Sequence, residues 1–255
     1  MSAGIARAEA AAIVLRCLDL TSLNADDCAA DIDALCQRAQ TPYGAVAAVC
    51  VWPRFVAQAR ARLERTIGVA AVANFPHGTQ DTATTLAEVQ CIAHNGANEV
   101  DVVLPYRALQ QGRVRECADF LAAVRAACGG LTLKVIIESG VLAEAALIAQ
   151  ATDLALAQGA DFVKTSTGKS AVSATPEAAS TMLARIAVCG RAAGFKASGG
   201  IRTLAQEQPY LSLVQQHLGA QALAPQRLRF GASALLGDIQ AVLGGAARPP
   251  SSHAY

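Results

Sequence analysis

Four short runs, VAAVCV at 46–51, VAAVAN at 69–74, VDVVL at 100–104 and LKVIIE at 133–138, are almost wholly apolar and are separated by longer alanine-rich stretches of helical period. A strand with one face in water alternates apolar and polar residues, so strands this uniformly apolar must be covered on both faces. Strand, helix and strand in that order is the pattern of parallel βαβ units. The same pattern predicts eight strands, at 16–20, 45–51, 69–74, 99–104, 132–138, 161–164, 194–197 and 227–230. Helix signals lie between them. Thr175 is a cap followed by Pro176 at the first helical position, and Met182, Leu183 and Ile186 fall on one face. Asn95-Gly96 and Gln158-Gly159 end two further helices. Eight strands in 255 residues predict a single-domain α/β fold, a (β/α)8 TIM barrel over 1–245. A doubly wound open sheet would show the same alternation. The segment between Leu204 and Pro225 is helical but ragged, and the prolines and serines of 246–255 read as a flexible C-terminal tail.

Residues of the hydrophobic class make up 53% of the chain and charged residues 16%, which suits a folded domain with a sizeable core. A net charge of +1 supplies no bulk attraction for nucleic acid or an anionic membrane, so a small-molecule ligand is expected. Glu9, Arg16 and Asp19 interrupt the N-terminal apolar run, which makes it a poor signal peptide. No stretch reaches the roughly 18 apolar residues that a membrane span needs. The eight cysteines form no CxxC pair and the four histidines are scattered. Zinc-ligand spacing is therefore absent, and the thiols read as reduced and cytoplasmic.

Chemistry on a barrel collects at the C-terminal ends of its strands. Three charged residues stand within or at the end of apolar strand runs: Asp101, Lys164 and Lys196. A buried charge is costly unless compensated. Lys164 is then either half of an ion pair with Asp101 or Glu138, or a nucleophilic amine. An ordinary lysine, with pKa about 10.4, is neutral in only roughly one molecule in 2,500 at pH 7. Only the neutral amine attacks a carbonyl, and a second cation such as Lys196, helped by desolvation, would raise that fraction. Lys169 lies in the following loop, Ser166 to Ser170, where backbone amides and a cation could hold phosphate. TGKS is not a P-loop, because Val163 stands where that motif requires glycine. Gly199-Gly200 and Gly231-Ala232-Ser233 follow the seventh and eighth strands, where barrels commonly bind phosphate; each also reads as a simple tight turn. Cys50 reads as a core thiol, His77 as a loop residue at the barrel mouth and Trp52 as a packing residue. Asp26, Asp27 and Asp31 read as acids at the start of a helix.

Seven blocks together resemble the deoxyribose-phosphate aldolase family, class I aldolases that form a Schiff base. They are DLTSLN (19–24), NFPHG (74–78), EVDVVLPYR (99–107), LKVIIE (133–138), DFVKTSTGK (161–169), GFKASGGIR (194–202) and RFGAS (229–233). The likeness runs in order from about residue 13 to the final tyrosine. It implies a (β/α)8 barrel that joins acetaldehyde to glyceraldehyde 3-phosphate, needs no metal or other cofactor, and forms a homodimer. By motif it makes Lys164 the Schiff-base lysine, Lys196 the group that lowers its pKa, and Asp101 a proton relay. Lys169, Gly168, Gly199, Gly200, Gly231 and Ser233 would bind phosphate, and Asp19 and Thr21 would lie near the sugar end. Tyr255 could reach the site on the tail and assist proton transfer. Ala197, Ser198 and Ala234 depart from the family's usual FKPAGG and RFGASS.

Overall fold

The computed structural model describes residues 5–245. Eight parallel strands close into a barrel: β1 Leu18–Thr21, β2 Ala48–Val51, β3 Gly68–Ala73, β4 Glu99–Val103, β5 Thr132–Ile136, β6 Phe162–Lys164, β7 Gly194–Ser198 and β8 Leu228–Ala232. Each strand pairs with the next in sequence and β8 closes on β1. That order excludes the open sheet, whose strand sequence reverses at a switch point. Helices cover the outside, and the core between them and the strands is one continuous apolar layer that takes in Val49, Val100, Val135, Phe195 and Phe230. The continuous apolar runs thus have the physical cause expected of them, since one face meets helices and the other the barrel interior.

The predicted strand starts and ends shift where local chemistry overrides the pattern. Arg16 belongs to a helix, Arg7–Arg16, and not to β1; its alanine-rich sequence favours helix, and it packs on helices Leu204–Leu218 and Leu235–Leu243 beside the barrel closure. Ala45 lies in a two-stranded antiparallel ribbon, Gln40–Thr41 with Gly44–Ala45, that precedes β2. Asn74 and Glu138 follow their strands in left-handed conformation, each with φ 54°, which ends the strand and turns the chain over the barrel mouth. The ragged segment resolves into helix Leu204–Leu218, with Pro209 inside it, and a short 3₁₀ turn, Ala220–Ala222. Thr175 caps helix Pro176–Val188 by accepting from the Ala178 amide at 3.2 Å. Of the three early aspartates only Asp31 serves a helix, accepting from the Cys28 amide at the start of Ala29–Arg38. Asp27 instead fixes the turn before it, as described below.

Glu207 is fully buried, and among the described residues both carboxylate oxygens lack a hydrogen-bond partner. Burial pushes its pKa well above the ordinary carboxylate range. The folded protein therefore holds a proton that the unfolded chain releases above about pH 4.3. Stability from this group is full below that pH and falls as pH rises toward the folded value. Glu207→Met is expected to stabilise the fold by about 1–3 kcal/mol at neutral pH, with a smaller gain in acid. Urea melts at acid and neutral pH check this, and an equal gain at both would contradict it.

Candidate active site

A cavity of about 460 Å³ opens at the C-terminal ends of β1, β6, β7 and β8. Lys164, 3% exposed, reaches it from the end of β6, together with Thr21, Gly168, Lys169, Gly199, Gly200, Gly231 and Ser233. Every predicted phosphate contact therefore faces one space. Asp101, Lys196 and Asp19 lie beneath it and are fully buried. Asp19, expected near the sugar end of a ligand, instead joins the charges under the floor. Tyr255 lies outside the described residues.

Local interactions hold the rim. Thr167 donates its hydroxyl to the Glu138 carboxylate at 2.6 Å, and its Oγ1 accepts from the Lys169 amide at 3.1 Å. Asp27 accepts from the Ser22 hydroxyl at 2.9 Å and from the Asn24 amide at 3.0 Å. These bonds fix the turn whose Leu23 carbonyl accepts the Lys169 ammonium at 2.9 Å. Trp52 braces the same turn, its indole N–H donating to the Asn24 carbonyl at 2.9 Å. A Cβ at Gly199 would stand 2.5 Å from the Ser173 hydroxyl, so only glycine lets these loops approach. A Cβ at Gly231 would press on Lys196 Cε at 3.2 Å and Ser198 Cβ at 2.9 Å. The departure at Ser198 ties β7 to the neighbouring loop, its hydroxyl donating to the Ser166 carbonyl at 2.5 Å. Ala197 is buried in the core, and Ala234 puts a methyl on the cavity rim. His77 is exposed, and Cys50 is buried inside the barrel.

Beneath the floor the charges interlock. Asp101 accepts from Lys164 at 2.8 Å, Lys196 at 2.7 Å and Lys134 at 2.7 Å. Burial alone would push the Asp101 carboxyl up, but these three lysines hold it well below the usual carboxylate range. Lys196 also meets Asp19 at 2.5 Å. Burial acts to lower its pKa, and Asp101 and Asp19 outweigh that and raise it. Lys164 goes the other way. Burial lowers its pKa first; Asp101 opposes, Lys196 lowers it again, and the net shift is downward. Desolvation thus outranks the neighbouring cation that was expected to be the main cause. The ion pair with Asp101 and the depressed pKa coexist, because one carboxylate is divided among three lysines.

A family model described as DeoC/LacD family aldolase matches residues 13–241. The chain belongs to that family. This DeoC/LacD aldolase, a lyase, is 46% identical over 250 residues to a protein of Agrobacterium fabrum named deoxyribose-phosphate aldolase, covering 97% of this chain and 96% of that one. A solved structure of a putative deoxyribose-phosphate aldolase from Coccidioides immitis superposes with TM-score 0.76 at 32% identity, over 90% of this chain and 87% of that chain. The fold also matches a structure from Toxoplasma gondii with TM-score 0.83 at 24% identity, over 94% of this chain and 96% of that chain. The resemblance drawn from the seven blocks is therefore correct at the level of family and fold. No helix among the described residues is long and apolar enough to cross a membrane.

Three charged residues inside the barrel of this aldolase escaped the sequence analysis: Lys134, Glu99 and Arg229. Each stands inside an apolar strand run, in LKVIIE, EVDVV and LRFGA, which is the signal that singled out Asp101. Their partners lie on other strands, which local sequence does not show.

Proposed function

We propose that this aldolase reversibly cleaves 2-deoxy-D-ribose 5-phosphate to D-glyceraldehyde 3-phosphate and acetaldehyde through a Schiff base on Lys164, without a metal, in cytoplasmic deoxyribonucleoside catabolism. One observation carries the reading: among the described residues, Lys164 is the only buried charged group that lines the cavity, and its pKa is lowered. The names of the Agrobacterium and Coccidioides relatives support the substrate.

The neutral Lys164 amine attacks C1 of the open-chain sugar, and the carbinolamine loses water to an iminium. The iminium draws in the electron pair as the C2–C3 bond breaks, while the C3 hydroxyl gives up its proton and becomes the aldehyde of glyceraldehyde 3-phosphate. The enamine left on Lys164 takes a proton at C2 and is hydrolysed to acetaldehyde. Asp101, hydrogen-bonded to both Lys164 and Lys196, relays these protons through a water. Lys196 keeps a proton and assists by repelling charge from Lys164. Lys169, Gly168, Gly199, Gly200, Gly231 and Ser233 take the phosphate, and Thr21 the sugar. A phosphosugar isomerase with Glu138 or Asp101 as base is disfavoured, since Glu138 is held by the Thr167 hydroxyl and Asp101 is shared among three lysines.

Cleavage of deoxyribose 5-phosphate, coupled to detection of glyceraldehyde 3-phosphate, tests the activity. Lys169→Met is expected to raise KM for this substrate by about 10- to 100-fold, as loss of a charge-assisted contact does, with a smaller change in kcat. An equal loss on unphosphorylated deoxyribose would remove Lys169 from the phosphate site.

A further inference from the structure

Under the cavity floor the barrel holds more charge than the proposed reaction uses. Lys134, Lys164, Lys196 and Arg229 bring four positive groups, and Asp19, Glu99 and Asp101 bring three negative ones. All seven are at most 8% exposed. Charges this deep persist because each is paired, and the pairing is uneven. Lys134 touches Glu99, and meets Asp101 at 2.7 Å and Asp19 at 3.4 Å. Arg229 grips Asp19 at 2.6 Å and Glu99 at 2.8 Å. Lys196 has Asp19 and Asp101. Among the described residues Lys164 has one carboxylate, Asp101, which it shares with both other lysines. Glu99 opens β4 and Arg229 is second in β8, so both sit toward the end of the barrel opposite the cavity.

We infer that Arg229 and Glu99 are positioning residues for the aldol reaction: they complete a buried cluster with one carboxylate fewer than cations, and the deficit falls on Lys164. The inference rests on Lys164 being the Schiff-base lysine. Arg229 occupies carboxylate oxygens on Asp19 and Glu99 that the lysines would otherwise take. Without its charge, three cations face three carboxylates, and Lys164 keeps its proton to higher pH. Without the Glu99 charge, four cations share two carboxylates, and Lys164 gives up its proton at lower pH. The two substitutions act with opposite sign, whereas a general loosening of the core would move both the same way. Lys164 is the one member of the four cations whose pKa goes down; those of Lys134, Lys196 and Arg229 go up.

The test is borohydride trapping of the intact protein with acetaldehyde over a pH series, with the label on Lys164 quantified by peptide mapping. Arg229→Gln is expected to move the labelling midpoint up by about one pH unit, with about tenfold less label at neutral pH. Glu99→Gln should move it down, and Arg229→Lys, which keeps the charge, should restore it. Midpoints that stay put, or that move in one common direction, overturn the inference. Should Arg229→Gln not fold, Glu99→Gln decides by its sign: downward supports, while upward or unmoved overturns. A wild type that carries no label on Lys164 overturns the Schiff-base reading and this inference together; a labelled wild type with unmoved variants overturns only the latter.

Discussion

Lys164→Arg is expected to abolish aldol cleavage, with kcat/KM falling on the order of 10⁴-fold or more, equivalent to about 5 kcal/mol. Arginine keeps a positive charge for Asp101 to pair with, so the ion-pair role of position 164 can survive the change. What it cannot supply is a neutral amine, because the guanidinium stays protonated at any working pH. The substitution thus separates the two uses of Lys164 that its sequence context left open. Steady-state rates on deoxyribose 5-phosphate, with circular dichroism to verify folding, give the readout. A variant with substantial residual turnover would mean that the buried lysine only balances Asp101.

Asp101→Asn is the second large effect, and it touches both stability and turnover. The carboxylate accepts from three lysines at 2.7–2.8 Å, so its loss strips the shared partner from all three. A fall in kcat of about 10²- to 10⁴-fold is expected from loss of a general acid–base group alone. Stability should also drop by about 3–5 kcal/mol, the cost of breaking a buried pair by removing one partner. The pH dependence has a definite sign. Lys134, Lys164 and Lys196 hold the folded-state pKa of Asp101 well below the ordinary value. Its stabilising contribution is therefore fully present above the unfolded pKa of about 3.9 and is lost as pH falls through the folded value. The stability gap between wild type and variant should narrow in acid, and denaturant melts at neutral pH and near pH 3 check it. A gap that does not change with pH would show that packing, and not the charge, is what the substitution removes.

The barrel was legible because its strands are buried on both faces and say so by being apolar throughout, as VAAVCV and VDVVL do. Lys164, Lys196 and Asp101 were legible for the complementary reason: a charge inside such a run has to be compensated or used. Lys134, Glu99 and Arg229 carried the same signal, but their partners lie on other strands. Lys134 faces Asp101 across β4 and β5, and Lys196 faces both Lys164 and Arg229 in register. A one-residue change of register would turn any of them to the other face. Such pairings, spanning up to 210 residues between Asp19 and Arg229, depend on strand tilt and closure, which local sequence does not encode. Asp19 was misplaced for that reason. Its neighbours in DLTSLN line the cavity, but its own side chain points below the floor, into the cluster. Asp27 was misread more simply. Acids before a helix usually serve the helix dipole, whereas this one is taken by Ser22 and Asn24.

The proposed reaction requires that one buried lysine, Lys164, form a covalent bond with the aldehyde while the lysines beside it do not. Wild-type protein incubated with acetaldehyde and borohydride, digested and mapped by mass spectrometry, tests it directly. One ethyl group on Lys164, with Lys134, Lys169 and Lys196 unmodified, is the result expected. Label on a different lysine, or none while deoxyribose 5-phosphate is still cleaved, would contradict it.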